Sequence, residues 1–404
     1  SRPRTGAHRR SAPRIGDMAP CRRRGDDASE SGLRSRRGTR AEEEKEGREM
    51  RLRFFRVISV SLALIGALQA AEPVASGTLQ WSALAPLPDR EGFAYPFAGV
   101  HRGALLVAGG ANFPDKKPWE GGTKVWYDTV FVLERPDGAW RVAGKLPAPL
   151  GYGVSITTPD GVLCLGGSDV QRHHAGAFFL GWESGKVTTR PFPSLPRPIA
   201  NACGALLGTT VYVAGGIATP DATDALSTFW AIDLSAARPA WREMPAWPGP
   251  GRMLAVAAVA DGAFFLVSGT SLAADAQGKP ARTYLKDAYR YDPARGWRQI
   301  ADIPLPAVAA PTPAPRHGAR GFAVLGGDDA SRLNVTPLSA HPGFPGESWV
   351  YDPAADQWRN AGRMPAAPVT VPVVEWEGRH VIPSGEIRPG VRTPAVWSLQ
   401  APTP

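Results

Sequence analysis

Short apolar runs recur along the chain from about residue 79 onward, separated by turns rich in glycine and proline. β-Branched and aromatic residues dominate these runs, and no long segment has the 3.6-residue period of an amphipathic helix. The pattern therefore predicts an all-β protein built from many short strands.

One apolar run in each repeat ends in a pair of small residues, and successive pairs lie 49 to 58 residues apart. This period is the length of a propeller blade. The order within a repeat is constant: two apolar strands, a variable loop, a third strand, and a fourth strand that carries tryptophan. The sequence predicts six such blades, whose small pairs are Gly109-Gly110, Gly166-Gly167, Gly215-Gly216, Ser268-Gly269, Gly326-Gly327 and Ser384-Gly385.

The order of strands resembles the Kelch repeat, and the two ends of the repeat region complement each other. L-Q-W-S-A-L at Leu79 looks like a fourth strand without the first three, and the last repeat stops after A-V-W-S-L at Ala395. We therefore predict a six-bladed Kelch-type β-propeller over residues 75–400. In it the N-terminal strand closes the C-terminal blade and leaves no free sheet edge there.

The residues before the repeats have a different character. Residues 1–49 are rich in arginine and lack apolar periodicity, so we expect a disordered, non-native N-terminal extension. Met50 then opens a basic start, an apolar run and a small-residue end at Ala71, which is typical of a signal peptide over residues 50–71. We expect a periplasmic or secreted protein without membrane association after signal removal. A genuine basic N-terminal arm is the alternative.

Charge and cysteine content narrow the classes of function. The formal net charge is +9, but the residues after 71 contain 29 Lys+Arg and 28 Asp+Glu, so no nucleic-acid partner is expected. Cys164 and Cys203 lie inside apolar runs, where buried free thiols are favoured over a disulfide.

Rim loops carry function in propellers, and one loop combines several charges. G-E-I-R-P-G-V-R-T, residues 385–393, contains a carboxylate and two guanidiniums around a Pro-Gly turn. With the following P-A-V-W-S-L, it resembles a motif of the cyclically permuted mutarotase family, the Kelch propellers similar to bacterial N-acetylneuraminate epimerases (sialic acid mutarotases). Two further segments resemble two consecutive blades of these epimerases: F-A-G-V-H-R-G-A-L-L-V-A-G-G-A-N-F at Phe97 and L-G-Y-G-V-S at Leu150. In the epimerases these blades follow the glutamate motif, whereas here they precede it.

The resemblance implies an isomerase that interconverts the α and β anomers of N-acetylneuraminate or a related sialic acid by ring opening and closure. It assigns Glu386 the role of proton acceptor. Such a reaction needs a base at the anomeric hydroxyl and an acid at the ring oxygen.

The carboxylate of a sugar acid suits recognition by a guanidinium fork. Arg388 and Arg392 are the candidates by position, with Arg252 as a third. Further candidates for hydroxyl contacts or for the acid are Asn112, Tyr152, Asp328 and His341.

Structural roles are open for several of these residues. Arg388 could be a solvated surface residue, and Arg392 could brace Glu386, which itself could accept backbone N–H bonds after the turn. His341 could be an ordinary loop histidine.

Two other functions remain as alternatives. A secreted Kelch propeller could bind carbohydrate or protein without catalysis. A copper oxidase is disfavoured, because the residues after 71 contain only six histidines and both thiols lie inside strands. Asp328-Asp329 is no metal site by itself, because adjacent carboxylates point to opposite sides of an extended chain. We expect no cofactor and no metal, and a small sugar acid as the partner. The exact sugar and the oligomeric state stay open.

Overall fold

The computed structural model describes residues 79–400. The predictions for residues 1–49 and 50–71 lie outside the described residues. Within the described range the chain forms six four-stranded antiparallel sheets, arranged as a six-bladed β-propeller. The predicted fold class is confirmed. Between residues 79 and 400 no helix has the length and apolar character needed to cross a membrane.

Each blade takes its strands in chain order, with one exception at the last blade. Blade one consists of Phe97–His101, Ala104–Ala108, Thr129–Leu133 and Arg141–Lys145. Blade two consists of Val154–Thr158, Gly161–Leu165, Ala177–Glu183 and Lys186–Phe192. Blade three consists of Cys203–Leu207, Thr210–Ala214, Phe229–Asp233 and Arg242–Glu243. Blade four consists of Val256–Ala260, Ala263–Val267, Ala288–Asp292 and Gly296–Ile300. Blade five consists of Arg316–His317, Gly321–Leu325, Glu347–Asp352 and Gln357–Arg363. Blade six consists of Val374–Trp376, Arg379–Pro383 and Val396–Gln400, and its fourth strand is the N-terminal Trp81–Leu84.

Three of the loops between second and third strands contain a short two-stranded ribbon. Two loops in this position contain a single 3-10 turn, Pro118–Glu120 and Leu338–Ala340. The ribbons are Ala111–Asn112 with Val125–Trp126, Thr270–Ala274 with Pro280–Tyr284, and Glu386–Arg388 with Val391–Arg392.

The N-terminal strand closes the propeller as predicted. Trp81–Leu84 pairs antiparallel with Val396–Gln400, with Trp81 opposite Leu399. The hydroxyls of Ser82 and Ser398 also lie 2.7 Å apart across this pairing. The closure gives blade six its outer strand, so the third strand of that blade is not left as a free edge.

The blades pack face to face through their middle strands. Ala104–Ala108 and Ala263–Val267 are buried at every position, because each lies between two neighbouring blades. Cys164 and Cys203 are both free and buried, as predicted, and burial raises the pKa of Cys203 to about 12.

In four blades a tryptophan in or just before the fourth strand ties the blade to the one before it. Each indole N–H donates to a backbone carbonyl in the exit segment of the preceding blade, at 2.7 to 2.9 Å. The repeated tryptophan of the sequence therefore supplies both buried area and a directional link. The four pairs are Trp140 with Ala85, Trp241 with Pro193, Trp297 with Pro245, and Trp358 with Ala301.

A ring of backbone hydrogen bonds surrounds the propeller axis at the blade entrances. Six residues, one per blade, have left-handed φ values between 43° and 63°. The N–H of each donates to the carbonyl of the ring residue before it, at 2.6 to 3.0 Å, and the first donates to the last. This closed ring offsets the cost of the left-handed backbone. Its members are Tyr95, Tyr152, Asn201, Leu254, Ala309 and Thr370.

The two serines in the small pairs have a common structural role. The Ser384 hydroxyl accepts the Phe93 N–H and lies 2.7 Å from the Thr393 carbonyl. Likewise, the Ser268 hydroxyl accepts the Ala307 N–H and donates to the Leu285 carbonyl, both at 2.8 Å. Each serine thus links two segments: the start of the next blade, and the residues just before the third strand of the blade that contains the serine.

Replacing Ser384 with alanine is expected to lower the free energy of unfolding by about 1–3 kcal/mol, because the buried Phe93 N–H loses its acceptor. Urea unfolding followed by tryptophan fluorescence measures this loss. Ser194→Ala removes a hydroxyl from an exposed position and should cost less than about 0.5 kcal/mol. Equal losses in the two variants would contradict the role of Ser384.

Candidate functional site

A cavity of about 530 Å³ lies at the end of the axis where the loops after the second strands meet. Tyr152, Asn201, Leu254 and Thr370 of the backbone ring contribute to its wall. Blades one, two, three, four and six all supply other lining residues. Those that carry charge or aromatic rings are Phe113, Lys124, Trp126, Asp169, His173, Arg282, Glu386 and Arg392.

The charged stretch singled out in the sequence forms a tight hairpin at this cavity. Glu386–Arg388 pairs with Val391–Arg392, with Glu386 opposite Arg392. Arg392 therefore belongs to the hairpin and not to the third strand that follows. Gly390 turns the chain with a φ of 78°, and a side chain there would meet Pro118 at 2.7 Å. The Gly390 N–H donates to Glu386 Oε1 at 2.7 Å, which fixes the carboxylate at the cavity wall.

Arg392 is the most deeply buried cation of this cavity. Its side chain is 3% exposed, and Nη1 lies 3.3 Å from Glu386 Oε1. The guanidinium carbon lies 4.9 Å from the centre of the Phe113 ring. The Glu386 contact is an ion pair without hydrogen-bond geometry, and among residues 79–400 Nε and Nη1 have no hydrogen-bond partner. The guanidinium thus keeps unused donors.

Sequence reasoning missed two further cations of the cavity. Lys124 Nζ lies 5.1 to 6.0 Å from the ring centres of Phe113, Trp126 and Tyr152, which is cation–π distance. Arg282 reaches the same cavity from the ribbon of blade four. The lysine-rich and aromatic composition of residues 111–128 could have pointed to Lys124 as a binding residue. Nothing in the sequence around Arg282 sets it apart from an ordinary surface arginine.

His173 is another lining residue that sequence reasoning did not select. It follows the second small pair in the loop S-D-V-Q-R-H-H, and it is buried at the cavity. Neither ring nitrogen has a hydrogen-bond partner within the described part of the chain. Burial, followed by the charge of His174, holds the pKa of His173 below its usual value. The H-H pair was the available signal, but it did not show which histidine faces the cavity.

Of the other sequence-selected residues, Tyr152 lines the cavity, but Arg252 does not. The Arg252 side chain is fully buried and forms two bonds to the Asp287 carboxylate, at 3.0 and 2.7 Å. It also donates to the Ser268 carbonyl, and its guanidinium carbon lies 5.5 Å from the Trp247 ring centre and 5.2 Å from the Tyr289 ring centre. These contacts give Arg252 a structural role within blade four.

Asn112 and Asp328 also differ from their predicted placement. The Asn112 amide donates to the Gly92 carbonyl and accepts the Tyr127 hydroxyl, both at 2.8 Å. The Asp328 carboxylate accepts the Tyr284 hydroxyl at 2.7 Å. Both side chains brace rim loops, and neither is among the residues that line the central cavity.

Arg388 and His341 lie together, but in a second cavity of about 840 Å³ next to the hairpin. Arg388 Nη1 donates to the Ser339 carbonyl at 2.9 Å, and the His341 ring accepts the Gly343 N–H at 3.1 Å. Burial holds the pKa of His341 below its usual value. The structure thus separates Arg388 from Arg392, although only four positions divide them in the sequence.

No group of three or more His, Cys, Asp or Glu side chains with metal-binding geometry occurs among residues 79–400. The polar groups of the central cavity are instead one carboxylate beside a buried guanidinium, a second carboxylate, two more cations and an unpaired imidazole. This set can bind an anion and can move a proton.

Comparison with known proteins finds a match to the family described as N-acetylneuraminate epimerase over residues 67–189 and 192–335. The hairpin with Glu386 lies beyond both matched segments. N-acetylneuraminate epimerase of Yersinia pestis (strain Pestoides F) is 39% identical in an alignment of 130 residues that covers 27% of this chain and 31% of the relative. The proteins of the same name from Yersinia enterocolitica and Salmonella enteritidis are each 41% identical, over 110 residues (24% and 27% of the two chains) and 105 residues (23% and 27%). The matched part of the chain spans 27 to 31% of the length of these curated relatives.

Proposed function

The chain belongs to the N-acetylneuraminate epimerase family, as its sequence predicted, and we propose that it interconverts the anomers of N-acetylneuraminate or a related sialic acid. The observation that carries the proposal is the pair formed by Glu386 and Arg392 at the wall of the central cavity. A base and an anion-binding group stand there side by side, and the guanidinium retains free donors.

The size and charge of the cavity support a sugar acid as substrate. A volume of about 530 Å³ lies within the range of small-molecule sites. Arg392, Lys124 and Arg282 outnumber the two lining carboxylates, so an anion is attracted to this end of the axis. Aromatic rings beside Lys124 offer apolar surface for a sugar face.

In the proposed mechanism the Arg392 guanidinium holds the substrate carboxylate through charge-assisted hydrogen bonds. Glu386 takes the proton from the anomeric hydroxyl while an acid protonates the ring oxygen, and the ring opens to a ketone. Rotation about the adjacent bond lets the ring close on either face. The Gly390 N–H keeps the Glu386 carboxylate in place throughout.

The purified protein tests the proposal directly. It is added to freshly dissolved N-acetylneuraminate, and proton NMR follows the approach of the two anomers to equilibrium. We expect this approach to be faster than in buffer alone. Binding of the sugar without acceleration would favour a carbohydrate-binding propeller instead.

Arg392→Lys is expected to raise KM roughly 10- to 100-fold, because a point charge replaces a buried two-pronged donor set. Initial rates at several sugar concentrations, followed by NMR, measure the change. Arg388→Lys alters the second cavity and should leave KM within about twofold. If Arg388→Lys has the larger effect, the carboxylate site assigned by the structure is wrong.

We also propose that the protein acts in the periplasm or outside the cell. The support is the signal-peptide pattern of residues 50–71 in the sequence. N-terminal sequencing of the chain recovered from the periplasm should begin just after Ala71, and recovery of an unprocessed cytoplasmic chain would contradict this.

A further inference from the structure

The loop that carries His173 is held in shape without help from its ring. Asp169 accepts the N–H groups of Gln171 and Arg172 at 2.7 and 2.8 Å, and its second oxygen lies 2.8 Å from His174 Nε2. Burial raises the pKa of Asp169, but these hydrogen bonds outweigh it and keep the pKa below its usual value. The loop geometry therefore does not explain why a histidine occupies position 173.

The His173 ring is buried at the cavity with both nitrogens unpaired. The residue is only 6% exposed, and no group among residues 79–400 forms a hydrogen bond to Nδ1 or Nε2. Burying an unpaired polar group is unfavourable, so such a group in a native protein calls for a partner outside the chain. Glu386 and Arg392 line the same cavity, so a sugar held there would supply that partner.

We propose that His173 is the acid that protonates the ring oxygen of the sugar. This inference rests on the proposed function, because it assigns the second proton transfer of the same reaction. Glu386 begins as a carboxylate and His173 as an imidazolium. Glu386 takes the anomeric proton, the bond between the anomeric carbon and the ring oxygen breaks, and His173 gives its proton to that oxygen. Closure on the opposite face reverses both transfers, so protons balance over the cycle.

The surroundings of the ring fit this task. Burial destabilises the charged imidazole, which makes the imidazolium a stronger acid. The nearby groups act in both directions: His174 opposes protonation, whereas the Arg172 backbone, Asp169 and Asp221 favour it. Of the other lining groups, Arg392, Lys124 and Arg282 oppose protonation and Glu386 favours it. A bound sugar carboxylate adds negative charge and promotes protonation once the substrate is present.

His101 offers a matched control, because it is also 6% exposed but uses its ring within the fold. Its Nδ1 accepts the Trp182 N–H at 2.9 Å, away from the cavity. We expect His173→Ala to lower kcat roughly 100-fold, with KM changed less than about threefold. Added imidazole should restore part of the lost kcat. His101→Ala should leave kcat and KM unchanged but lower the midpoint of urea unfolding.

Stability separates a chemical role of His173 from a structural one. His173→Phe removes two unpaired polar atoms and fills the same space, so its urea midpoint should equal or exceed that of the parent protein. This variant should still lose catalysis. An active parent with a fully active His173→Ala overturns the inference and leaves the proposed function intact. A His173→Ala loss that imidazole does not restore, together with a lower midpoint for His173→Phe, also overturns it. An inactive parent protein overturns both proposals.

Discussion

The Glu386→Gln variant is expected to lose roughly 10²- to 10⁴-fold in kcat for anomer interconversion, the range typical of a lost general base. The amide has nearly the same shape and can still accept the Gly390 N–H. It cannot accept the anomeric proton, because an amide oxygen is a very weak base. Binding should weaken less than catalysis does, since Arg392 stays in place. NMR of the anomer ratio over time gives the rate, corrected for the uncatalysed reaction.

Glu347→Gln is the control for this change. Glu347 is also half-buried and paired with an arginine, Arg363, but it lies in blade five and does not line the central cavity. Its variant should keep the kcat of the parent protein. Retention of more than half of kcat in Glu386→Gln, with the unfolding midpoint unchanged, would remove Glu386 from the mechanism.

The Asp287→Ala variant is expected to lose about 3–5 kcal/mol of unfolding free energy, the largest effect on stability that we predict. Asp287 forms both carboxylate bonds to Arg252, whose side chain is 0% exposed. Removing the carboxylate leaves a buried charge without a counterion. The Tyr289 hydroxyl also loses its acceptor. Urea unfolding monitored by tryptophan fluorescence measures the loss.

Asp128→Ala removes the carboxylate of an exposed ion pair for comparison. Its partner Lys145 lies 3.1 Å away, with a side chain that is 74% exposed. Solvent screens this pair, so the variant should lose less than about 1 kcal/mol. Similar losses for Asp287→Ala and Asp128→Ala would show that the Arg252 contact contributes no more than a surface pair.

The candidate site was only partly predictable, and Arg252 and Arg388 show why. Both were chosen because a guanidinium fork suits a sugar carboxylate, Arg388 for its place in the charged loop and Arg252 for its place at the start of a blade. In the structure Arg252 is occupied by Asp287, which lies 35 positions further along the chain, and Arg388 bonds to the Ser339 carbonyl of another loop. No local pattern encodes such partners. Glu386 and Arg392 were accessible to sequence reasoning because one short hairpin holds both.

The residues that line the cavity were equally hard to predict from the sequence. Lys124, His173 and Arg282 reach it from three different blades, so their meeting depends on how the blades close around the axis. Their loops differ in length and composition, and repeat spacing carries no information about which side chain turns inward.

The repeat number, the strand order and the closure of blade six by Trp81–Leu84 could all be predicted from the amino-acid pattern alone. These features follow from hydrophobic periodicity and from glycine and tryptophan positions, which act locally in every blade. The backbone ring at the axis could not be predicted in this way, because its members include residues as different as Tyr95, Leu254 and Thr370 and it forms only when the blades assemble. The same holds for the set of polar groups that share the central cavity. Both depend on contacts between segments far apart in the chain, where backbone position and not residue type selects the partner.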